Sequence, residues 1–217
     1  MTIDLTALGD FMAYEKVKYI SPAKASERAE EMEDFKKAGQ VARKTFQGLV
    51  TALLGRTENF QADKVSAWMN QAQVGRPHFW CYFFVEGDTR LDPTFAIRLK
   101  TIDGVLGISC ELSFIERGSQ PDTLLRQNQV LKVDVTDDSL YYWAQVKGES
   151  NYFPLTLASR EVLAKGLASG EVRKVLVKYD IPAIESFGSA QALVEELLAG
   201  FENLLPFYEA TRQLKQD

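Results

Sequence analysis

The stretch HFWCYFFVEGDTRLDPTFAIRLKTIDGVLGISCELS, His78 to Ser113, decides the fold. Thr94 to Ile102 and Val105 to Glu116 are rich in β-branched and apolar residues, and Asp103-Gly104 stands between them. An Asp-Gly pair between two such runs suits a two-residue hairpin turn, because both turn positions need a positive φ. With that turn, Ile102 faces Val105 and the register follows by counting outward. One face then carries Phe95, Ile97, Leu99, Leu106, Ile108, Cys110 and Leu112, which is core. The other carries Ala96, Arg98, Lys100, Gly107, Ser109 and Glu111, with Ala96 opposite Glu111 and Arg98 opposite Ser109. Glu111 therefore lies diagonally within reach of Arg98.

Upstream, His78 to Val85 carries Phe79, Trp80, Tyr82, Phe83 and Phe84, a composition expected of a central strand covered on both faces. Trp80, Tyr82 and Phe84 share one side of it. Leu140 to Val146 (LYYWAQV) repeats the pattern, with Tyr141 and Trp143 on one side and Leu140, Tyr142, Ala144 and Val146 on the other. Two aromatic faces exceed what one core needs. If the surplus face is open, Trp80, Tyr82 and Trp143 beside Arg98, Lys100 and Glu111 suit a planar ligand, stacked on the rings and held at its polar edge. The alternative is that terminal helices cover this face too.

Apolar positions Met32, Phe35, Ala42, Phe46, Leu49 and Leu53, with Gly39 in the seam, predict an amphipathic helix from Ser21-Pro22 to Gly55, with Ser21 as its N-cap. The same seam would serve a homodimer, but packing on the chain's own sheet explains it as well. A second helix is expected over Ala62–Gln73, a short helix or turn over Thr123–Asn128, and a helix over Ser159–Leu167 capped at Ser159. Strands are expected over Val130–Val135 and Val172–Tyr179, with a loop around Asp137-Asp138 and an extended piece over Asn151–Leu157. The last helix, Gly188 to Leu214, must kink or restart at Pro206. Strands in hairpin order with helices at both chain ends predict a single α+β domain over residues 1–217. Its sheet is mostly antiparallel and curved, with the N- and C-terminal helices packed against it.

Composition narrows the function. At 217 residues, 46% hydrophobic and 25% charged, the chain is neither disordered nor fibrous. No run approaches the ~18 apolar residues of a membrane helix, and Met1 to Phe11 carries Asp4 and Asp10 without a positive region. With only Cys81 and Cys110 as thiols, a reducing, cytoplasmic location is expected. The net charge of -5 disfavours nucleic acid as a partner.

The single histidine, His78, sits three residues before Cys81, on the opposite side of a strand, so the two form no catalytic pair. Three Cys and His residues in all fall short of a structural zinc site. Glu86, Asp88 and Asp92 do not follow a calcium-loop pattern, and neither a P-loop nor a G-x-G-x-x-G is present. No metal and no cofactor are expected. These exclusions leave a non-enzymatic domain that binds a small planar ligand or a protein partner. A carboxylate hydrolase is the enzymatic alternative, with Glu86 or Glu111 as general base, and it requires two carboxylates converging in a deep cleft.

Arg76 to Ser113 presents an aromatic strand, an acidic glycine turn, a proline-led strand and a hairpin in succession. This run resembles the central β segment of the N-terminal, modified-DNA-binding domain of McrB-type restriction proteins. LLAGFENLLPFYEATRQLK, residues 197–215, resembles that family's closing helix. The resemblance covers roughly a quarter to a third of the chain. It implies a sheet that takes a flipped base into an aromatic pocket, with Trp80, Tyr82 and Trp143 as stackers and Arg76, Arg90, Arg98 and Lys100 as a basic rim. The chain departs from the family in its acidic balance and in having no motor motif.

Overall fold

The computed structural model describes residues 4–134 and 139–212. Seven strands, β1 (Phe60–Ala62), β2 (Trp80–Val85), β3 (Thr94–Ile102), β4 (Val105–Ser113), β5 (Leu140–Val146), β6 (Glu149–Pro154) and β7 (Val172–Ile181), form one sheet. Their order is β1-β2-β3-β4-β7-β5-β6, and every neighbouring pair is antiparallel. Among the described residues five α-helices accompany it: α1 (Thr6–Met12), α2 (Ala29–Leu54), α3 (Pro121–Gln127), α4 (Leu157–Ser169) and α5 (Ala190–Arg212). This is the expected α+β architecture, a curved and unclosed sheet with N- and C-terminal helices. One expectation of order fails: β7 inserts between β4 and β5, so the strands are not in consecutive hairpin order.

The hairpin has the expected register, from Ile102 opposite Val105 to Thr94 opposite Ser113. Asp103 and Gly104 take φ of 48° and 83°, as the turn requires. Consequently Cys81, Phe83, Phe95, Ile97, Ile108, Cys110 and Leu112 point together into the core, under α2 and α5. Phe46 of α2 stacks on Phe79, with centroids 5.8 Å apart. Phe201 of α5 lies 5.0 Å from Phe95 and 5.3 Å from Phe83. Gly200 permits this approach, since a Cβ there would stand 2.9 Å from Cys110 Sγ. Met32, Phe35, Phe46 and Leu53 are fully buried against this layer. The seam is therefore core, and a homodimer through it is not available.

The structure corrects several local expectations. Ser21 does not cap α2; two short 3-10 turns, Pro22–Lys24 and Ser26–Arg28, precede it. No helix forms over 62–73, because Asp63 and Ser66 donate their backbone N–H groups to Tyr82 and Trp80, and sheet pairing displaces helical bonding. Trp68 instead lies across α2, 5.2 Å from the Phe35 ring. β2 is not central: it is second from an edge, beside the three-residue β1. Val130 and Leu131 fall in a 3-10 helix, Asn128–Lys132, whose Asn128 side chain bonds Arg173 and Val175 of β7 and draws the segment against that strand. Thr156 caps α4 by accepting from Ser159 N, and α5 runs through Pro206 without restarting. The expected loop at Asp137-Asp138 and the end of the last helix at Leu214 lie outside the described residues.

The contact of Gly39 with the indole is a test of this packing. A Cβ at Gly39 would stand 2.6 Å from the Trp68 ring, whereas one at Gly55 meets only backbone oxygens at 3.6 Å. Gly39→Val should cost about 1–3 kcal/mol by overpacking, while Gly55→Ala should be neutral or gain up to about 1 kcal/mol. Urea unfolding midpoints measured on both variants check the pair.

Candidate functional site: a charged aromatic groove on the open sheet face

Strand alternation sends the remaining side chains away from α2 and α5. Cross-strand pairs lay them out in rows: Trp80 with Arg98 and Ser109; Ala96 with Glu111, Lys178 and Tyr141; Leu176 with Trp143 and Tyr152. Trp80, Tyr82, Arg98, Lys100 and Trp143 are only half-buried there. The helices do not cover this face as they cover the other.

A groove of about 370 Å³ runs over it, lined by Tyr82, Arg98, Lys100, Glu111 and Trp143 together with Lys174 and Lys178. Five of the six residues expected from sequence thus come together. Trp80 does not line the groove; its ring is occupied by guanidinium groups, Arg76 at 4.7 Å and Arg98 at 5.4 Å. His78 lies 5.3 Å from the same ring. Burial, and then Arg98 and Arg76, push its imidazole down to about 4, so it is neutral at pH 7.

Glu111 is the centre of the charge arrangement, with 1% exposure. Arg98 Nε donates to its Oε1 at 3.1 Å and Lys178 Nζ at 2.7 Å. Burial alone would raise this carboxyl, but Lys178 and Arg98 outweigh it and bring it down to about 2. Burial lowers Lys178, which Glu111 only partly offsets. Lys178 Nζ also sits 5.2 Å from the centre of the Trp143 ring. Around the groove stand four cations, Arg98, Lys100, Lys174 and Lys178, against two carboxylates, Glu111 and Glu116. This is a positive site on an acidic chain.

A second groove of about 410 Å³ adjoins the first and shares Lys100 and Trp143 with it. Its other lining includes Tyr141, Tyr152, Asp103 and Asp180. Asp180 accepts from Lys100 Nζ at 3.1 Å and from the Tyr141 hydroxyl at 3.1 Å. Burial, then Asp180, pushes the Tyr141 phenol upward, so it stays a neutral donor.

Glu86 and Glu111, the two candidate general bases, do not share a groove. Glu86 is exposed in the turn after β2, away from either groove, and Glu111, ionised down to about 2, is a weak base. Asp88 and Asp92 anchor helices instead: the Tyr208 hydroxyl of α5 donates to Asp88 at 2.7 Å, and Arg126 of α3 pairs with Asp92. Among the described residues no group of three or more His, Cys, Asp or Glu is arranged to hold a metal ion. Of the rim expected from the family resemblance, Arg98 and Lys100 line the groove and Arg76 stacks on Trp80. Arg90 lies elsewhere, paired with Asp63 at 2.8 Å.

Sequence reasoning missed Lys174, Lys178, Asp180 and Tyr152. The signal was present in β7, where Lys174, Leu176, Lys178 and Asp180 alternate with Val175, Val177 and Tyr179. No protein-family model, curated protein or solved structure matches the chain, so these comparisons bear neither for nor against the resemblance to McrB-type domains.

Glu111→Gln removes the countercharge of the buried Lys178 and the half-buried Arg98 and should cost about 3–5 kcal/mol at pH 7. The pH dependence has a definite sign. A carboxyl lowered from 4.5 to about 2 contributes its full stabilisation above 4.5 and loses it as pH falls toward 2. The stability gap between wild type and Glu111→Gln should therefore narrow across that window, as measured by urea unfolding at several pH values.

Proposed function

We propose that this chain is a non-enzymatic binding domain of the cytosol whose open sheet face takes up a small planar ligand. The observation that carries this reading is the convergence of Tyr82, Trp143, Arg98, Lys100, Lys178 and Glu111 on one groove, on the face the helices leave free. Its size is within the range of small-molecule sites, and a few fixed polar groups among apolar walls are what orient a ligand. Tyr82 and Trp143 offer ring faces. Arg98 and Lys100 offer donors, and Glu111 holds Arg98 and Lys178 in place. The free, buried thiols Cys81 and Cys110 fit a reducing compartment.

A second reading is a modified-DNA reader of the McrB N-terminal kind, in which the planar ligand is a flipped base. The surplus of cations around the groove favours it, since a nucleotide brings its own phosphates. It differs from the first in requiring duplex DNA around the base.

Tryptophan fluorescence and thermal shift against nucleosides, nucleotides, modified nucleosides and short DNA duplexes test both readings. Ligand that binds only the folded state raises its stability, by about 2.7 kcal/mol at a hundredfold excess over Kd. A rise with a small planar compound, lost in Trp143→Ala, is the expected result. A rise confined to duplexes carrying a modified base would favour the DNA reader, and no rise with any compound would overturn both.

A further inference from the structure

The two adjoining grooves differ in charge. The first has four cations against two carboxylates; the second has Lys100 against Asp103 and Asp180. They meet at Trp143 and Lys100, which belong to both. A ligand lying across them meets an excess of positive charge at one end and of negative charge at the other, with an indole between.

The spare hydrogen-bonding capacity follows the same division. Lys178 is 6% exposed, and among the described residues its only hydrogen-bond acceptor is Glu111 Oε1, although an ammonium carries three donors. Lys178 lines the first groove together with Lys174, whose Nζ pairs with Glu116. An acceptor brought into that groove can take the remaining donors of Lys178. In the second groove the free capacity is acceptor capacity. The Asp180 carboxylate takes bonds from Lys100 and Tyr141, and each carboxylate oxygen has lone pairs for more. Asp103 is exposed at the hairpin turn beside it.

We infer that the ligand is a nucleoside monophosphate whose base carries an amino group. The phosphate lies against Lys178 and Lys174, the base lies beside Trp143 and Tyr152, and the amino group donates to Asp180 or Asp103. The inference rests on the reading of this face as a planar-ligand site and adds the ligand's polarity and direction. The chemistry fits point by point: phosphate is acceptor-only and anionic, a base has a π face for an indole, and an amino group is a donor. A free mononucleotide and the same unit within a nucleic-acid strand present this chemistry alike.

The test measures tryptophan-fluorescence affinities of the full chain for adenosine monophosphate, adenosine, inosine monophosphate, inorganic phosphate and a short oligoadenylate. Adenosine monophosphate should bind about ten- to a hundredfold more tightly than adenosine, the worth of hydrogen bonds to charged groups. It should exceed inosine monophosphate, which lacks the amino group, about two- to tenfold. Lys174→Gln, at a partly exposed position, should shrink the first ratio, and Asp180→Asn the second. Lys178→Met should bring the first ratio near one. Because that change also unpairs Glu111, the ligand ratios on the unmodified chain carry the decision.

Equal binding of adenosine and its monophosphate would overturn the inference while leaving the planar-ligand reading intact. So would binding of a neutral planar compound with no response to any nucleotide. Failure of every planar compound, charged or neutral, would remove both. Stronger binding of the oligoadenylate than of the mononucleotide would support the assignment and place the unit in a strand; the reverse order would support it as a free nucleotide.

Discussion

The Asp103–Gly104 turn fixes which side chains of β3 and β4 lie on each face of the sheet. Its positive φ angles close β3 onto β4 with Ile102 against Val105, and nine residue pairs follow from that one contact. A slip of one residue would turn Arg98, Lys100 and Glu111 toward α2 and α5 and expose Phe95, Ile97 and Leu99 instead. β2 takes its facing from β3, β7 from β4, and β5 from β7. The parity set at one turn is thereby carried through these pairings as far as the register shift between Gln145 and Val146 of β5, and it separates a helix-covered apolar layer from a charged aromatic one.

That second layer is not simply a solvated sheet surface. Glu111 and Lys178 are buried on it, at 1% and 6% exposure, by their own neighbours Arg98, Tyr82, Tyr141 and Trp143. Taking two ions out of water carries a desolvation cost that an apolar replacement of similar shape would avoid. Packing alone therefore gives no reason for ions here. Titratable groups held far from their ordinary behaviour inside a concavity are where binding chemistry concentrates, and charge, ring faces and a concavity coincide in this groove.

How much of this was legible depended on sequence distance. The β3–β4 register, the facing of Arg98 against Glu111 and the extent of β5 are local, set by alternation and by a two-residue turn, and they were readable residue by residue. Gln127 and Asn128 show the opposite case. Gln127 bonds the backbone of Leu112 and Val175, and Asn128 bonds that of Arg173 and Val175. These contacts hold Val130 and Leu131 in a 3-10 helix, although their side chains favour a strand. Residues 62–73 fail for a related reason: their helical spacing of Val65, Trp68 and Met69 is real, but the edge of β2 offers hydrogen bonds that no local pattern announces. The insertion of β7 is the largest such gap. Its pairing with β4 joins residues about seventy apart, and nothing in either segment names the other.

The groove inherits that dependence. Tyr82, Arg98, Lys100 and Glu111 come from the hairpin region, Trp143 from β5, and Lys174 and Lys178 from β7, which is followed by a 3-10 turn, Ile184–Ser186, and α5. Neither half has the site without the other. The Lys178–Glu111 bond spans the β4–β7 boundary, where the two sets join, and Lys100–Asp180 spans it one row further on. A ligand held by both sets therefore requires the β4–β7 pairing, and with it the core that α5 closes beneath. It binds only the assembled sheet, so its binding energy acts on global unfolding and not on the fraying of a single loop.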